Sequence, residues 1–353
     1  MNSRQSNPSD RNVAFWLWIV CTLIVVMVGV GGITRLTGSG LSIADWNPIM
    51  GAVPPRSEAE WQQAFDLYKA NARVQYEQFS RNLGEMTLAD FQEIYFWEYF
   101  HRLLGRVIGL VYAIPLAVFW VRGRIRGSLR WKLLLGLVLG GGQGFLGWFM
   151  VRSGFADLPR VSHFRLAAHL SMALILFSYL LWIILDLNPF WTHRHTNYHN
   201  LGRLRKFSRS FLILLGVQIV WGAFTAGLQA GYFYNTYPLM GGRFFPETTW
   251  NIFSNPVAVQ FVHRHLGLLV VLAAFGLWGF AQTHRLMDRQ KLGLNLLLLC
   301  GVLQFILGLY TLISGLNLVA AVSHQVMACL LLGSALLTYH ELIEPKSVTS
   351  RRS

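Results

Sequence analysis

The sequence predicts an all-α integral membrane protein, with eight transmembrane helices forming two pseudo-symmetric, parallel four-helix-bundle halves. Three observations predict it. Hydrophobic residues make up 54% of the 353 positions and charged residues only 13%, with a positive mean hydropathy, which leaves too little polar surface for a soluble domain of this size. Apolar runs of about 20 residues, enough to cross a hydrocarbon core of ~30 Å, recur along the whole chain. The motifs of the first half also return in the second in the same order.

The first run, 13–33, is long and uninterrupted, and Gly29-Val30-Gly31-Gly32 leads to Arg35 rather than to a small-residue cleavage site, so it reads as a retained helix. An outer insertion, 34–93, follows. Within it, Glu58 to Leu83 mixes charged and apolar residues at helical spacing, which predicts one or two amphipathic helices on the membrane surface. Spans at 94–121, 132–151 and 164–186 complete an N-terminal half, residues 1–186. The basic stretch 187–209, containing Pro189, is the expected cytoplasmic linker. Spans at 210–229, 258–281, 292–314 and 321–342 form the C-terminal half, 210–353. Four spans return the chain to its starting side, so both halves enter from the same face, a parallel repeat about an axis along the membrane normal.

A formal charge of +14 invites a nucleic-acid reading, but the location of the charges argues against one. The two termini and the segments 122–132, 193–209 and 284–291 together hold 18 Lys and Arg, against 9 in the alternate segments. Short basic loops stay in the cytoplasm, so both termini are expected there. The excess charge is then a topology signal and a contact for anionic lipid. Cys21, Cys300 and Cys329 all fall within spans and lack CxxC spacing, so neither a disulfide nor thiol chemistry is expected.

The repeat is clearest around histidine. Phe100-His101-Arg102-Leu103-Leu104-Gly105 is answered by Val262-His263-Arg264-His265-Leu266-Gly267, and Gln143-Gly144-Phe145-Leu146-Gly147 by Gln304-Phe305-Ile306-Leu307-Gly308. Gly40-Leu41 leading to Pro48-Ile49-Met50-Gly51 is echoed by Gly227-Leu228 leading to Pro238-Leu239-Met240-Gly241. Val161-Ser162-His163 resembles Val322-Ser323-His324, whereas alignment by depth pairs His169 with His324.

Topology then places His101, His169, His263 and His324 near the outer ends of the even-numbered spans. Intramembrane histidine is costly, and two per half on neighbouring helices is the arrangement that lets imidazoles approach a porphyrin iron from opposite faces. Interhelical hydrogen bonding is the other use of such residues. Zinc or copper would want companion Cys, carboxylate or Met ligands, and no such cluster accompanies these histidines, so haem is the better fit. Gly105, Gly109, Phe96 and Trp97 offer room for a flat ring. His193, His195, His199, His284 and His340 read as interfacial, and His163 and His265 as weaker ligand candidates.

Arg102 and Arg264 follow their histidines directly. Each suits either a structural carbonyl or carboxylate partner or a haem propionate. Glu98 lies one turn before His101, while the matching position before His263 is Gln260. That difference suggests chemistry in the first half and a held cofactor in the second. Pairing of Glu98 with Arg102 or Arg106 is the alternative.

These residues resemble the haem A synthases, of the type with a long first outer loop found in bacteria and mitochondria. The resemblance spans nearly the whole chain. It rests on Gly-Gly-Ile-Thr-Arg-Leu-Thr-Gly-Ser-Gly-Leu-Ser at 31–42 with Trp46 and Pro48, on Glu98-Tyr99-Phe100-His101-Arg102, and on His169, Val262-His263-Arg264 and Ser323-His324. It implies oxidation of the C8 methyl of haem O to a formyl group by successive hydroxylations, giving haem A for terminal oxidases. It also implies the substrate haem on His101 and His169 beside a catalytic Glu98, and haem b on His263 and His324; Arg102 and Arg264 read, from their positions beside the histidines, as cofactor-binding residues. A haem O synthase as donor, a separate electron acceptor, a bacterial cytoplasmic (inner) membrane and a possible oligomer follow from the same resemblance. Some members carry a cysteine pair in the first outer loop, and this chain has none there. A di-haem b electron carrier and a haem transporter or chaperone are the competing functions.

Overall fold

Eight of the nine α-helices among the described residues are long and apolar enough to cross a membrane, and they stand where the hydropathy marks them. The computed structural model describes residues 8–43, 53–75, 86–153, 161–187 and 201–343. In chain order the helices are α1 (Pro8–Leu36), α2 (Glu58–Gln75), α3 (Leu88–Val121), α4 (Ser128–Ser153), α5 (His163–Leu187), α6 (Gly202–Gly227), α7 (Pro256–Ala281), α8 (Asp288–Ile313) and α9 (Leu318–Leu342). All but α2 are spans, and the protein is a multi-pass membrane protein. Helices suit that setting because each satisfies its own N–H and C=O groups where water is absent.

Several helices overrun their apolar windows, since hydropathy measures hydrocarbon depth and a helix need not stop there. The largest correction concerns the linker. α6 starts at Gly202, so the last part of the stretch 187–209 is helix rather than connection. Arg203, Arg205, Lys206 and Arg209 are good helix formers that carry α6 past the apolar core, and Arg205 Nε donates to the Leu342 carbonyl at 3.0 Å, capping the end of α9. The rest of that stretch, with Pro189, His193, His195 and His199, lies outside the described residues.

α3 also starts early, at Leu88. Thr87 and Asp90 form a capping box there, the Asp90 amide donating to Thr87 Oγ1 at 3.2 Å and the Thr87 amide to the Asp90 carboxylate at 2.8 Å. The added turns receive α2. Phe91 is fully buried under Trp61, Phe65 and Tyr68 of α2, with Tyr95 closing the cluster. The expected amphipathic segment is therefore one helix to Gln75, and the remainder of it lies outside the described residues.

One hydrophobic core runs through both halves. α1, α5, α6 and α9 pack on one another at the centre, with α3 and α4 flanking one side and α7 and α8 the other. Leu17, Leu180, Ile184, Leu204 and Leu331 are among its fully buried side chains. Polar contacts also cross between the halves. Gln325 Nε2 of α9 donates to the Val28 carbonyl of α1 at 3.0 Å, and Arg35 Nη2 reaches the last carbonyls of α6, Ala226 at 3.2 Å and Gly227 at 3.1 Å. His340, expected at the interface, is instead 2% exposed. Its Nε2 lies 3.2 Å from Asp186 Oδ1 of α5 and its Nδ1 3.4 Å from Glu341. The centre of the fold closes over this position, which a single span's hydropathy does not reveal.

Pro115 lies inside α3 and has no N–H for the carbonyl one turn back, at Val111. Trp16 of α1 supplies the missing donor, its indole Nε1 standing 2.7 Å from that oxygen while its ring packs on Tyr112. Trp16→Phe keeps an aromatic ring beside Tyr112 but removes the donor and part of the ring volume. The expected loss is about 1–3 kcal/mol, the cost of an orphaned carbonyl in a dry site, seen as a lower unfolding temperature in detergent micelles. An unchanged midpoint would mean that the Val111 carbonyl needs no partner.

Candidate functional site

Each of the four histidines lies against a glycine of the preceding span. A Cβ placed on Gly31 of α1 would stand 3.2 Å from His101 Nε2; on Gly147 of α4, 3.0 Å from His169 Cε1; on Gly222 of α6, 3.1 Å from His263 Cε1; and on Gly308 of α8, 2.7 Å from His324 Cε1. Only the missing side chain lets helix and imidazole approach so closely. Each contact joins one central helix to one flanking helix. His101 lies within electrostatic range of His169, and His263 within range of His324, so the histidines associate by halves.

Local structure sets their heights. Asn255 caps α7, its side chain accepting from the amides of Val257 at 2.9 Å and Ala258 at 3.2 Å, with Pro256 at the first helical position. Asn317 caps α9 through the Ala320 amide at 3.2 Å. These caps put His263 and His324 in the second or third turn of their helices. The glutamines decide the register that the sequence left open. Gln143 Nε2 is 3.4 Å from His169 Nε2, and Gln304 Nε2 is 3.3 Å from His324 Nε2, so His169 is the counterpart of His324. His163 has a different environment, its Nε2 2.9 Å from the Phe253 carbonyl and its ring on Phe164 and Phe224. It opens α5 rather than lying in a loop. His265 turns back to the Phe261 carbonyl at 2.8 Å and stacks on Phe261, away from His263.

Glu98 is a hub. It is 3% exposed, and one of its oxygens accepts from Ser42 Oγ at 2.7 Å and the Ile43 amide at 2.9 Å, while the other meets Arg102 Nη2 at 2.6 Å. Arg102 also donates to the Ile43 carbonyl at 3.0 Å. The ion pair with Arg102 that the sequence offered as an alternative is therefore formed. Tyr68 of α2 stands above this group; its phenol pKa is raised by burial first and by the Glu98 charge second.

The second half builds the same frame with a neutral side chain. Gln260, 1% exposed, donates through Nε2 to the Tyr234 carbonyl at 2.9 Å, and Arg264 donates to the Thr236 carbonyl with its guanidinium 5.5 Å from the Tyr237 ring centre. Both gripped loops follow a 3₁₀ turn, Ser39–Leu41 after Gly38 at φ 71° and Ala230–Tyr232 after Gln229 at φ 53°. This overturns the expected match of Gly40-Leu41 with Gly227-Leu228: Gly40 corresponds to Gly231, and Gly227 ends its helix as Leu36 ends α1. Residues 48–51, the other part of that echo, lie outside the described residues.

The pockets suit a large polar-edged ligand. His169 Nδ1, His263 Nδ1, Trp221 Nε1 and Arg264 Nη1 are buried without a hydrogen-bond partner, and in hydrocarbon such groups are costly unless something else meets them. Of these, the Trp221 and Arg264 nitrogens are donors that suit the carboxylate arms of a porphyrin. Gly109 and Gly144 also have no neighbour where a side chain would stand, but both lie on exposed helix faces rather than in a pocket. Among the described residues no cluster of three His, Cys, Asp or Glu could hold a bare metal ion. Gly31 and Ser42 stand at the ends of the 31–42 motif, and Gly147 and Gly308 at matching ends of a repeated segment, but their contacts were not readable from the sequence, which did not single out Ile43 or Gly222.

Residues 14–336 match the model of the COX15-CtaA family, described as cytochrome oxidase assembly proteins. The chain is 40% identical to a haem A synthase of Flavobacterium johnsoniae, covering 94% of this chain and 98% of the relative. It is 41% identical to one from Rhodospirillum centenum, over 98% and 92%, and 44% identical to one from Granulibacter bethesdensis, over 95% and 89%.

The contrast between the two frames can be measured. Glu98→Ala leaves Arg102 buried without its carboxylate, at an expected cost of about 3–5 kcal/mol. Gln260→Ala removes one neutral hydrogen bond, at about 1–2 kcal/mol. Thermal unfolding in detergent should rank Glu98→Ala well below Gln260→Ala, and equal midpoints would remove the charge difference from the account.

Proposed function

This chain belongs to the COX15-CtaA family, and from that premise we propose that it works as a haem A synthase, with its substrate haem in the first half and haem b in the second. The observation that carries the division of labour is the replacement of a buried, ion-paired carboxylate, Glu98, by a neutral Gln260 in an otherwise matching frame.

On this reading the methyl group of haem O is oxidised to a formyl group, a four-electron change overall. Two hydroxylations, each taking its oxygen from water and releasing two electrons to the separate acceptor and two protons, give a geminal diol, and loss of water leaves the aldehyde. The substrate is held through its iron by His101 and His169, on helices that also carry the Glu98–Arg102 pair. Glu98 is the one acidic group in this frame, positioned to take a proton as methyl C–H bonds are broken and to stabilise positive charge as electrons leave the macrocycle. Arg102 orients that carboxylate through the ion pair. Tyr68 and the rest of α2 cover it from the outer side and limit access of bulk water. Haem b, held by His263 and His324, would supply a one-electron relay. Arg264, with a buried unpartnered nitrogen, fits one of its propionates.

The same reading puts both termini in the cytoplasm of a bacterial inner membrane, following the charge bias, and takes haem O from a haem O synthase in the same bilayer. A di-haem b electron carrier would want haems toward both faces, whereas all four histidines sit in the outer-side turns of their spans on this topology.

Extraction of haem from the purified protein followed by chromatography tests the function. Haem O or haem A beside haem b is expected, and haem b alone would overturn it in favour of the carrier. Glu98→Gln should still load haem but drop formyl formation by about 100-fold or more, the scale of a lost general base. A normal haem A yield from that variant would remove Glu98 from the chemistry.

A further inference from the structure

At the opposite ends of the spans from the histidines, the first half carries a feature that the haem chemistry does not use. A cavity of about 530 Å³ opens there between the first turn of α1, the loop joining α3 to α4 and the end of α5. Its lining includes Asp10, Arg122, Arg124, Arg126, Leu129 and Leu187. Three arginines therefore meet one cavity from a single short loop.

That loop is held in shape. Gly123 ends α3 at φ 62°, with the Arg124 amide turned back to the Phe119 carbonyl at 2.9 Å, and Gly127 makes a second bend into α4 at φ 58°. Both angles lie where a side chain would be strained. Between the bends Ile125 is fully buried and pins the loop to the core. Arg130, its guanidinium 5.6 Å from the Trp120 ring centre, donates to the Ile125 carbonyl at 3.0 Å. Arg126 Nε donates to the Gly123 carbonyl at 2.9 Å, which leaves its two terminal nitrogens for another partner. Among the described residues the guanidiniums of Arg122 and Arg124 make no hydrogen bond or ion pair.

A charge bias across the membrane accounts for basic residues at this end, but it places no demand on their arrangement. The second half shows the difference. Its matching turn, 282–287, has one arginine, Arg285, and no glycine, and His284 Nδ1 there lies 3.1 Å from the Phe280 carbonyl. Planar guanidiniums suit phosphate oxygens, which take two N–H groups at once. The cavity also lies where the spans end, at the depth of lipid headgroups. Beside the loop, Val121 is 86% exposed and Trp131 72%, so acyl chains can lie along α3 and α4 while a phosphate enters the cavity.

We propose that this cavity binds the phosphodiester headgroup of one anionic phospholipid, clipping together the adjoining ends of α1, α3, α4 and α5. Arg122, Arg124 and Arg126 hold the phosphate, and with Asp10 as the one acid in the lining the cavity keeps a net positive charge. The site stands apart from the function proposed above, since no residue near the histidines takes part.

The test uses the full-length protein in a neutral detergent, with phosphatidylglycerol, phosphatidylcholine or inorganic phosphate added at matched ionic strength. Native mass spectrometry counts bound lipid, and the unfolding midpoint is read in parallel. One tightly held phosphatidylglycerol and a raised midpoint are expected, with phosphatidylcholine giving neither. Arg122→Gln, Arg124→Gln and Arg126→Gln combined should weaken that binding about 10- to 100-fold, the scale of three cations near an anionic lipid surface. All three side chains are exposed, so the fold should survive their replacement. Arg203→Gln, Lys206→Gln and Arg209→Gln combined remove the same charge from exposed positions at the start of α6 and should leave binding at the parent level. Equal weakening by the two triple variants would reduce the effect to general charge attraction and overturn the site. Phosphatidylcholine bound as tightly as phosphatidylglycerol would do the same. Displacement of the lipid by millimolar inorganic phosphate would make the occupant a soluble phosphate and overturn the lipid assignment.

Discussion

The close seating of an imidazole on a glycine, made four times, is the contact on which the rest of this fold depends. A histidine in hydrocarbon needs partners for its ring nitrogens and an enclosed place for its ring. Gly31, Gly147, Gly222 and Gly308 provide the place, and each is paired with a histidine on the next span. Because each contact ties a central helix to a flanking one, the four nests also set how α3, α4, α7 and α8 sit around the core of α1, α5, α6 and α9. Adding one methyl group at Gly308 would bring carbon to 2.7 Å from His324, too close for either helix to stay where it is.

Around these nests the two halves share a frame and differ in charge. In each, a side chain one turn before a His-Arg pair grips the loop that follows a 3₁₀ turn, and the arginine holds a carbonyl of that loop. Glu98 has two donors and a guanidinium where Gln260 has a single carbonyl, its own Oε1 being left without a partner. A buried carboxylate is tolerable only when so surrounded, and the serine, main-chain amide and arginine around Glu98 are what its retention requires. The segment 34–42 reads accordingly. Thr34 bonds to the Trp97 carbonyl at 3.3 Å, Arg35 closes the end of α6, Thr37 meets Ser39 at 2.6 Å, and Ser42 serves Glu98.

Much of this was legible in the sequence. Eight spans, the pairing of His101 with His263 and the Glu98–Gln260 contrast follow from apolar length and from repetition, both local properties of the chain. What was not legible depends on neighbours. The extent of α6 beyond its apolar stretch was hidden because charged residues form helices as readily as loops. The loop register was misread because Gly-Leu recurs at both Gly40 and Gly227, and only the 3₁₀ turns show which glycine matches Gly231. His340 looked interfacial from its place at a helix end, yet α5 brings Asp186 against it. The nest glycines are ordinary in a membrane sequence until the facing helix is in view.

A repeat of this kind begins with equivalent sites, and on the function proposed above equivalence is a disadvantage, because the two halves are assigned different tasks. The scaffold cannot be changed freely to separate them, because helix spacing is fixed by the nests and the shared core. Next to the histidines, one difference is confined to side chains of nearly equal size. Glu98 stands for Gln260, a substitution that changes charge and hydrogen-bonding capacity while leaving volume almost untouched. In a close-packed interior, exchanges that conserve volume are the ones tolerated best. A duplicated bundle can therefore gain two different chemistries without giving up the packing that holds either one.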